Sequence, residues 1–166
     1  LGLNLLKHLR LTIDRTSRIA ACRVTVPPEF PEADRRFFKA LVEEGKFGRV
    51  LTANLQMQCL RTNAYYAADA WRGTWGKEGG SVLMNQAIHF VDILNWVMGG
   101  VESLSGEFAN LTHEGVIETE DTAVAALRFK NGALGTIAAT ASSNLHWDQS
   151  ISIYGDEGTV QIHSGQ

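Results

Sequence analysis

Gly79-Gly80-Ser81-Val82-Leu83-Met84-Asn85-Gln86-Ala87-Ile88-His89-Phe90-Val91-Asp92-Ile93-Leu94-Asn95-Trp96-Val97-Met98-Gly99-Gly100 is the stretch around which the rest of the chain is arranged. Between two glycine pairs suited to chain reversal, apolar side chains at 83, 84, 87, 88, 91, 94 and 98 recur at the three-to-four spacing of a half-buried helix. Ser81 is placed to cap it. The same spacing sets Asn85, His89, Asp92 and Trp96 along a neighbouring stripe, so an amide and an imidazole one turn apart face a common pocket. That pair is the candidate for chemistry.

Towards the N-terminus, the helix is preceded by an irregular stretch carrying Tyr65, Tyr66, Trp71, Arg72, Gly73, Thr74 and Trp75, long for a connector. Arg49 to Met57 reads as a strand. Before it, Pro27-Pro28 and Pro31 break the pattern and announce a helix with Phe37, Phe38, Leu41 and Val42 on one face and Gly45 as its stop. In residues 1–26, Thr12-Ile13-Asp14 reads as a helix start before Arg15 to Cys22, followed by a short β-like run Arg23-Val24-Thr25-Val26.

After Gly99-Gly100 the period changes to two, with strands expected as a meander at 103–112, 120–129, 133–140, 149–154 and 158–163. Asn131-Gly132 signals a hairpin with a type I′ turn, which needs positive φ at both central positions. Gly155-Asp156-Glu157-Gly158 marks a second reversal. Helix first and antiparallel strands after give an α+β architecture, an open-faced, mostly antiparallel sheet with helices on one face. The small alternating residues of Ala133 to Ala141 leave the other face flat enough to pack against a second sheet, as in a homo-oligomer.

Composition narrows the function classes. The 166 residues, 45% apolar and 20% charged, are enough for a sizeable core. The net charge of -3 has no basic run behind it, so no nucleic-acid partner is expected, and the apolar runs are too short to span a bilayer. Cys22 and Cys59 fit no metal-ligand spacing, and so few thiols suit a reducing compartment, the cytoplasm by default. The chain begins at Leu1 without methionine, and we expect it to be a piece of a longer protein.

Trp71-Arg72-Gly73-Thr74-Trp75, then Gly79-Gly80, then Leu83-Met84-Asn85-Gln86-Ala87-Ile88-His89-Phe90-Val91-Asp92 resemble the Gfo/Idh/MocA family of oxidoreductases. The likeness covers roughly residues 46–163 and continues into Glu120-Asp121-Thr122-Ala123, the Asn131-Gly132-Ala133 hairpin and Tyr154-Gly155-Asp156-Glu157-Gly158. The resemblance implies the second domain of such an enzyme, of the dihydrodipicolinate-reductase-like C-terminal type, working with a Rossmann domain that holds NAD or NADP. It implies His89 as the catalytic histidine, Asn85 as its partner, and Lys7, in Leu6-Lys7-His8-Leu9, as the lysine of a Glu-Lys-Pro motif whose acidic residue and proline are absent here. Lys7 would serve both catalysis and the cofactor.

No G-x-G-x-x-G turn occurs in the sequence, and a pyrophosphate needs that close backbone approach at a helix N-terminus, so neither NAD nor NADP is expected to bind this chain alone. We therefore expect three parts: residues 1–26 as the remnant of a dinucleotide-binding domain, 27–45 as a connecting helix, and 46–166 as the substrate-binding and oligomerisation domain. The remnant should pack on a neighbouring chain or be disordered.

Oxidising a secondary alcohol requires removing its hydroxyl proton, a task that suits imidazole, with a lysine ammonium to stabilise developing alkoxide charge and Asn85 to orient the ring or a sugar hydroxyl. The plainer alternative is a hydrogen-bonded His89–Asn85 pair at a helix–sheet seam. Asp92 beside His89 lacks further clustered ligands, and no metal is assigned. Trp71, Arg72 and Trp75 can wall a sugar or nucleotide-sugar, with Arg72 free for a carboxylate or phosphate, and Tyr66 with Tyr65 lies where substrate would be met. For His113, His146 and His163 surface or turn roles are expected. Three functions follow: the substrate-binding domain of an NAD(P)-dependent oxidoreductase of a sugar, nucleotide-sugar or cyclitol; a non-catalytic dimerisation or ligand-binding module; and, last, a stand-alone lyase or isomerase using His89.

Overall fold

Alternation in Ala53, Leu55, Met57 and Cys59, all fully buried, drives strand β3 (Val50–Leu60) into the middle of the sheet. The structure, a computed structural model, describes the backbone of residues 12–13, 20–25 and 32–165 and the side chains of 36–163. Along the chain come β1 (Thr12–Ile13), β2 (Ala20–Thr25), α1 (Glu32–Glu43), β3, α2 (Asn63–Ala67), a π turn (Val82–Gln86), α3 (Ile88–Val97), β4 (Val101–Ala109), β5 (Thr122–Phe129), β6 (Leu134–Thr140), β7 (Ser142–Gly155) and β8 (Gly158–Gly165). The strands form one eight-stranded sheet in the order β1-β2-β8-β7-β3-β6-β5-β4. Its pairings are antiparallel except β2 with β8 and β3 with β6, as the mostly antiparallel expectation requires.

Helices α1 and α3 cover one face. Phe38, Ile93, Leu94, Val97 and Met98 meet Leu55, Leu127, Phe129, Ile151, Ile153 and Val160 in the main core. A second cluster joins Val82 and Ala87 of the π-turn region to Met57, Cys59, Ala123, Ala139 and Ala141; the alanines let the turn come close to the sheet. Gly45 stops α1 in the left-handed region, φ 66°, with its N–H on Val42 O and the Lys46 N–H on Leu41 O, the doubly bonded helix end that glycine permits. Among the described residues no helix is long and apolar enough to cross a membrane.

Several expectations are corrected. The strands after Gly100 are not a simple meander, because β3 enters between β6 and β7 and separates two strands joined through Ala141 alone. Asn131-Gly132 does turn the chain, but only Gly132 has positive φ, 85°; Phe129 and Ala133 close a three-residue loop with Gly132 as its bulge, so the turn is not type I′. The expected continuous helix is broken: a π turn ends at Gln86 and α3 begins at Ile88. Thr12-Ile13 is a strand and not a helix start, and Ala20 to Cys22 belong to β2. That strand runs parallel to β8, from Ala20 against Gly158 to Thr25 against His163, so this part of the expected remnant adds to the chain's own sheet and not to a neighbour's. Strand β7 starts at Ser142, seven residues before the expected 149, since its polar first half is held by pairing with β3 and not by an apolar pattern.

The uncovered face has two characters. Over β8, β7 and β3 it is polar, a hollow of about 430 Å³ lined by residues such as Gln56, Ser150, Tyr154 and His163. Over β6, β5 and β4 it is small and apolar, with Val124, Ala126 and Ala138 around a shallow space of about 490 Å³.

Candidate functional site

Carboxylates, not hydroxyls, set the start of the central segment. Glu120 Oε1 accepts the Ser81 and Leu83 N–H groups at 2.9 and 3.0 Å, and Glu120 O accepts that of Val82 at 3.3 Å. Ser81 makes no side-chain cap; its hydroxyl instead meets Tyr66 OH at 3.0 Å in the interior, which corrects the capping expectation. The Ala87 N–H reaches back five residues to Val82 O, at 2.8 Å. Such a widened turn changes the phase of the residues that follow. Gln86 is thereby buried, while His89 stands exposed on α3.

His89 has no hydrogen-bond partner among the described residues. Asn85 Nδ2 donates to Glu78 Oε1 at 2.7 Å and not to the ring, so the expected His89–Asn85 pairing is absent. Asp92 and Trp96 are exposed on the same helix. Lys7 lies outside the described residues. Among the described residues no three His, Cys, Asp or Glu side chains converge in a way that would hold a metal.

The aromatic loop is tied down by the other end of Glu78, which accepts the Gly73 N–H. Gly73 has φ 67°, and its carbonyl takes the Glu118 and Thr119 N–H groups at 2.7 and 3.3 Å. A Cβ there would lie 2.3 Å from Ile117, so only glycine lets the two loops pass. Trp75 and Trp71 are both exposed but separate: Trp75 packs edge-on to Phe108 of β4 at 6.0 Å, whereas Trp71 lies under the Arg72 guanidinium at 4.5 Å. Arg72 is engaged too, its Nε on Asp69 at 2.9 Å and its Nη1 on Tyr65 OH, which removes much of the freedom expected of it for an anion.

The two tyrosines exchange roles. Tyr66, named from sequence for substrate, is only 4% exposed; burial above all pushes its phenol up to about 12, against the pull of the Ser81 hydrogen bond. Tyr65 is half-buried, and its oxygen accepts from Arg72 and, at 3.2 Å, from Gln86 Nε2. Arg61 lies over the same ring at 4.7 Å and over Trp147 at 5.2 Å. The four-residue spacing of Arg61 and Tyr65 was a usable local signal; nothing near Trp147 in sequence points to it.

His113, expected at the surface, is buried. Its Nδ1 lies 2.9 Å from Asp121 Oδ2 and its Nε2 2.9 Å from Arg61 O, and the Tyr66 ring packs edge-on to it at 4.8 Å. Burial alone would raise the Asp121 carboxyl, but the Leu111 N–H, His113, the Thr112 N–H and the Thr122 hydroxyl outweigh it and hold the acid well below the usual carboxylate range. At Cys59 burial pushes the thiol up and the Arg61 charge opposes it.

Among the described residues no strand leads through a glycine-rich turn into a helix, the arrangement whose N–H groups take a pyrophosphate. These residues present an exposed imidazole, His89, on α3 and a separate cluster of arginines and aromatics around Tyr65.

The chain is 34% identical over 84 residues to a myo-inositol 2-dehydrogenase of Thermotoga maritima, a match covering 49% of this chain and 25% of that protein. It is 28% identical over 167 aligned positions to an uncharacterized oxidoreductase of Bacillus subtilis, YrbE, covering 93% of this chain and 46% of that one. The crystal structure of the WlbA dehydrogenase from Bordetella pertussis, in complex with NADH and UDP-GlcNAcA, superposes with a TM-score of 0.72 at 40% identity, over 77% of this chain and 39% of that one. The chain thus spans less than half the length of each of these relatives. Residues 36–161 match the family model for the GFO/IDH/MocA C-terminal domain, and the chain belongs to the Gfo/Idh/MocA oxidoreductase family.

Proposed function

We propose that this chain is the substrate-facing and assembly domain of an NAD(P)-dependent oxidoreductase that oxidises a secondary alcohol of a sugar, nucleotide-sugar or cyclitol, with His89 as general acid/base. The observation that carries the proposal is the state of His89 within the family domain: an exposed imidazole on α3, just after a π turn, with no described partner to occupy its nitrogens. A free imidazole can take a hydroxyl proton; one bonded at both nitrogens cannot. Asn85, fixed through its Nδ2 to Glu78, has its carbonyl oxygen left to accept a substrate hydroxyl. Lys7 is proposed, on the family likeness, as the cation beside the developing alkoxide.

The cofactor of the complete protein is proposed to be NAD or NADP, held by a dinucleotide-binding domain of which residues 1–26 are the end, with 27–45 connecting and 46–166 serving substrate and assembly. The small apolar half of the open sheet face is the proposed contact with a second copy.

The test is His89→Ala in the complete protein, where kcat should fall roughly 10²- to 10⁴-fold, the usual contribution of a positioned acid or base. Unchanged turnover removes His89 from the mechanism. A companion titration of this chain with NADH, followed by tryptophan quenching, should show no saturable binding; micromolar affinity would mean that it holds a cofactor site of its own.

A further inference from the structure

Arg61 is a partly buried cation without a carboxylate partner among the described residues. Its backbone is fixed at both polar groups: the N–H donates to Ala141 O at 2.7 Å and the carbonyl accepts from His113 Nε2 at 2.9 Å. The guanidinium rests on two aromatic faces, Tyr65 and Trp147, and its Nε is enclosed with no acceptor. Tyr65 is positioned in turn by the Thr62 hydroxyl, which caps α2, and by Gln86, whose Nε2 donates to the phenol while its own Oε1 is buried and unpartnered. Gln86 therefore links this cluster to the π turn just ahead of His89. Two guanidiniums lie on one tyrosine ring, and among the described residues the ion pair they make is that of Arg72 with Asp69.

We propose that Arg61 is an oxyanion-binding residue that makes this domain prefer sugars bearing a carboxylate or a phosphate over neutral ones. A guanidinium held against two aromatic rings has lost in advance much of the freedom that binding would otherwise remove, and its fork suits a bidentate oxyanion. This deepens the sugar-binding reading above and rests on it.

The experiment titrates the 166-residue chain by ligand-observed NMR and calorimetry with D-glucuronate, glucose 6-phosphate and methyl β-D-glucoside. At least one of the two anionic sugars should bind roughly tenfold more tightly than the glucoside, and the better of them identifies carboxylate or phosphate as the group read. Arg61→Gln should bring that ratio to within about twofold of unity by weakening the anionic sugar. Arg61→Lys keeps the charge and stem but not the fork, so it should lose most of the preference with the fold intact, which serves if the glutamine variant does not fold. Equal binding of the three sugars, or a preference that survives both substitutions, overturns the role of Arg61 and leaves the sugar reading standing. Binding of none of them at tens of millimolar overturns both.

Discussion

Asp121 shows how a single side chain can fix the acid limit of the fold. Its folded pKa is depressed below the unfolded value of about 3.9, so its contribution is present above the unfolded value and is lost progressively as pH falls from there through the folded one. Urea midpoints should therefore drop steeply below about pH 5, and Asp121→Asn should flatten that slope and cost about 3 kcal/mol at pH 7, as expected when one member of a buried, paired network is removed. Tyr66 sets the alkaline side. With its phenol raised to about 12, its stabilisation is complete below the unfolded value of about 10 and declines above it. Absorbance titration at 295 nm should find one of the three tyrosines ionising after the others, and Tyr66→Phe should remove that late step. Neither behaviour was legible from the residues alone. Tyr65 and Tyr66 are equivalent in a one-dimensional reading, and only the partners brought by Ser81, Gln86 and Arg72 separate the buried phenol from the reachable one.

Several elements whose cause is local were read correctly, and some whose cause is distant were not. Gly45 ends α1, Gly155 to Gly158 turns the chain, and the alternating apolar positions of β5, β6 and β8 lie close to where the pattern placed them. The π turn was missed because its cause, the Glu120 carboxylate, arrives from 39 residues beyond Ser81. Glu120→Ala leaves two N–H groups without that acceptor and should lower stability by about 2 kcal/mol, with Glu120→Gln recovering part of it, as read by denaturant melts. Gly73→Ala sets a methyl group against Ile117 in a backbone region that alanine avoids, so we expect a larger loss, about 3 kcal/mol or more, with Trp71 and Trp75 becoming more accessible to acrylamide.

At the scale of the molecule, the open sheet face is the feature that most constrains assembly. If its apolar half meets a second copy, Val124→Glu together with Ala138→Glu should shift the mass seen by light scattering towards the monomer without changing the far-ultraviolet spectrum. An unchanged mass would place the contact elsewhere.

The position of β3 has a kinetic meaning as well. Its neighbours in the sheet, β6 and β7, begin 84 or more residues downstream of Val50, as Thr52 opposite Leu134 and Tyr154 shows. A chain emerging from the ribosome would therefore carry β3 with neither of its edges paired until almost the whole sequence had been made. High contact order of this kind slows folding and lengthens the time for which a strand edge is open to the wrong partner. Truncation within β7 or β8 should thus send the protein into aggregates more readily than an equal loss from the helical side, and a holdase chaperone should raise soluble yield most during synthesis of β4 to β6.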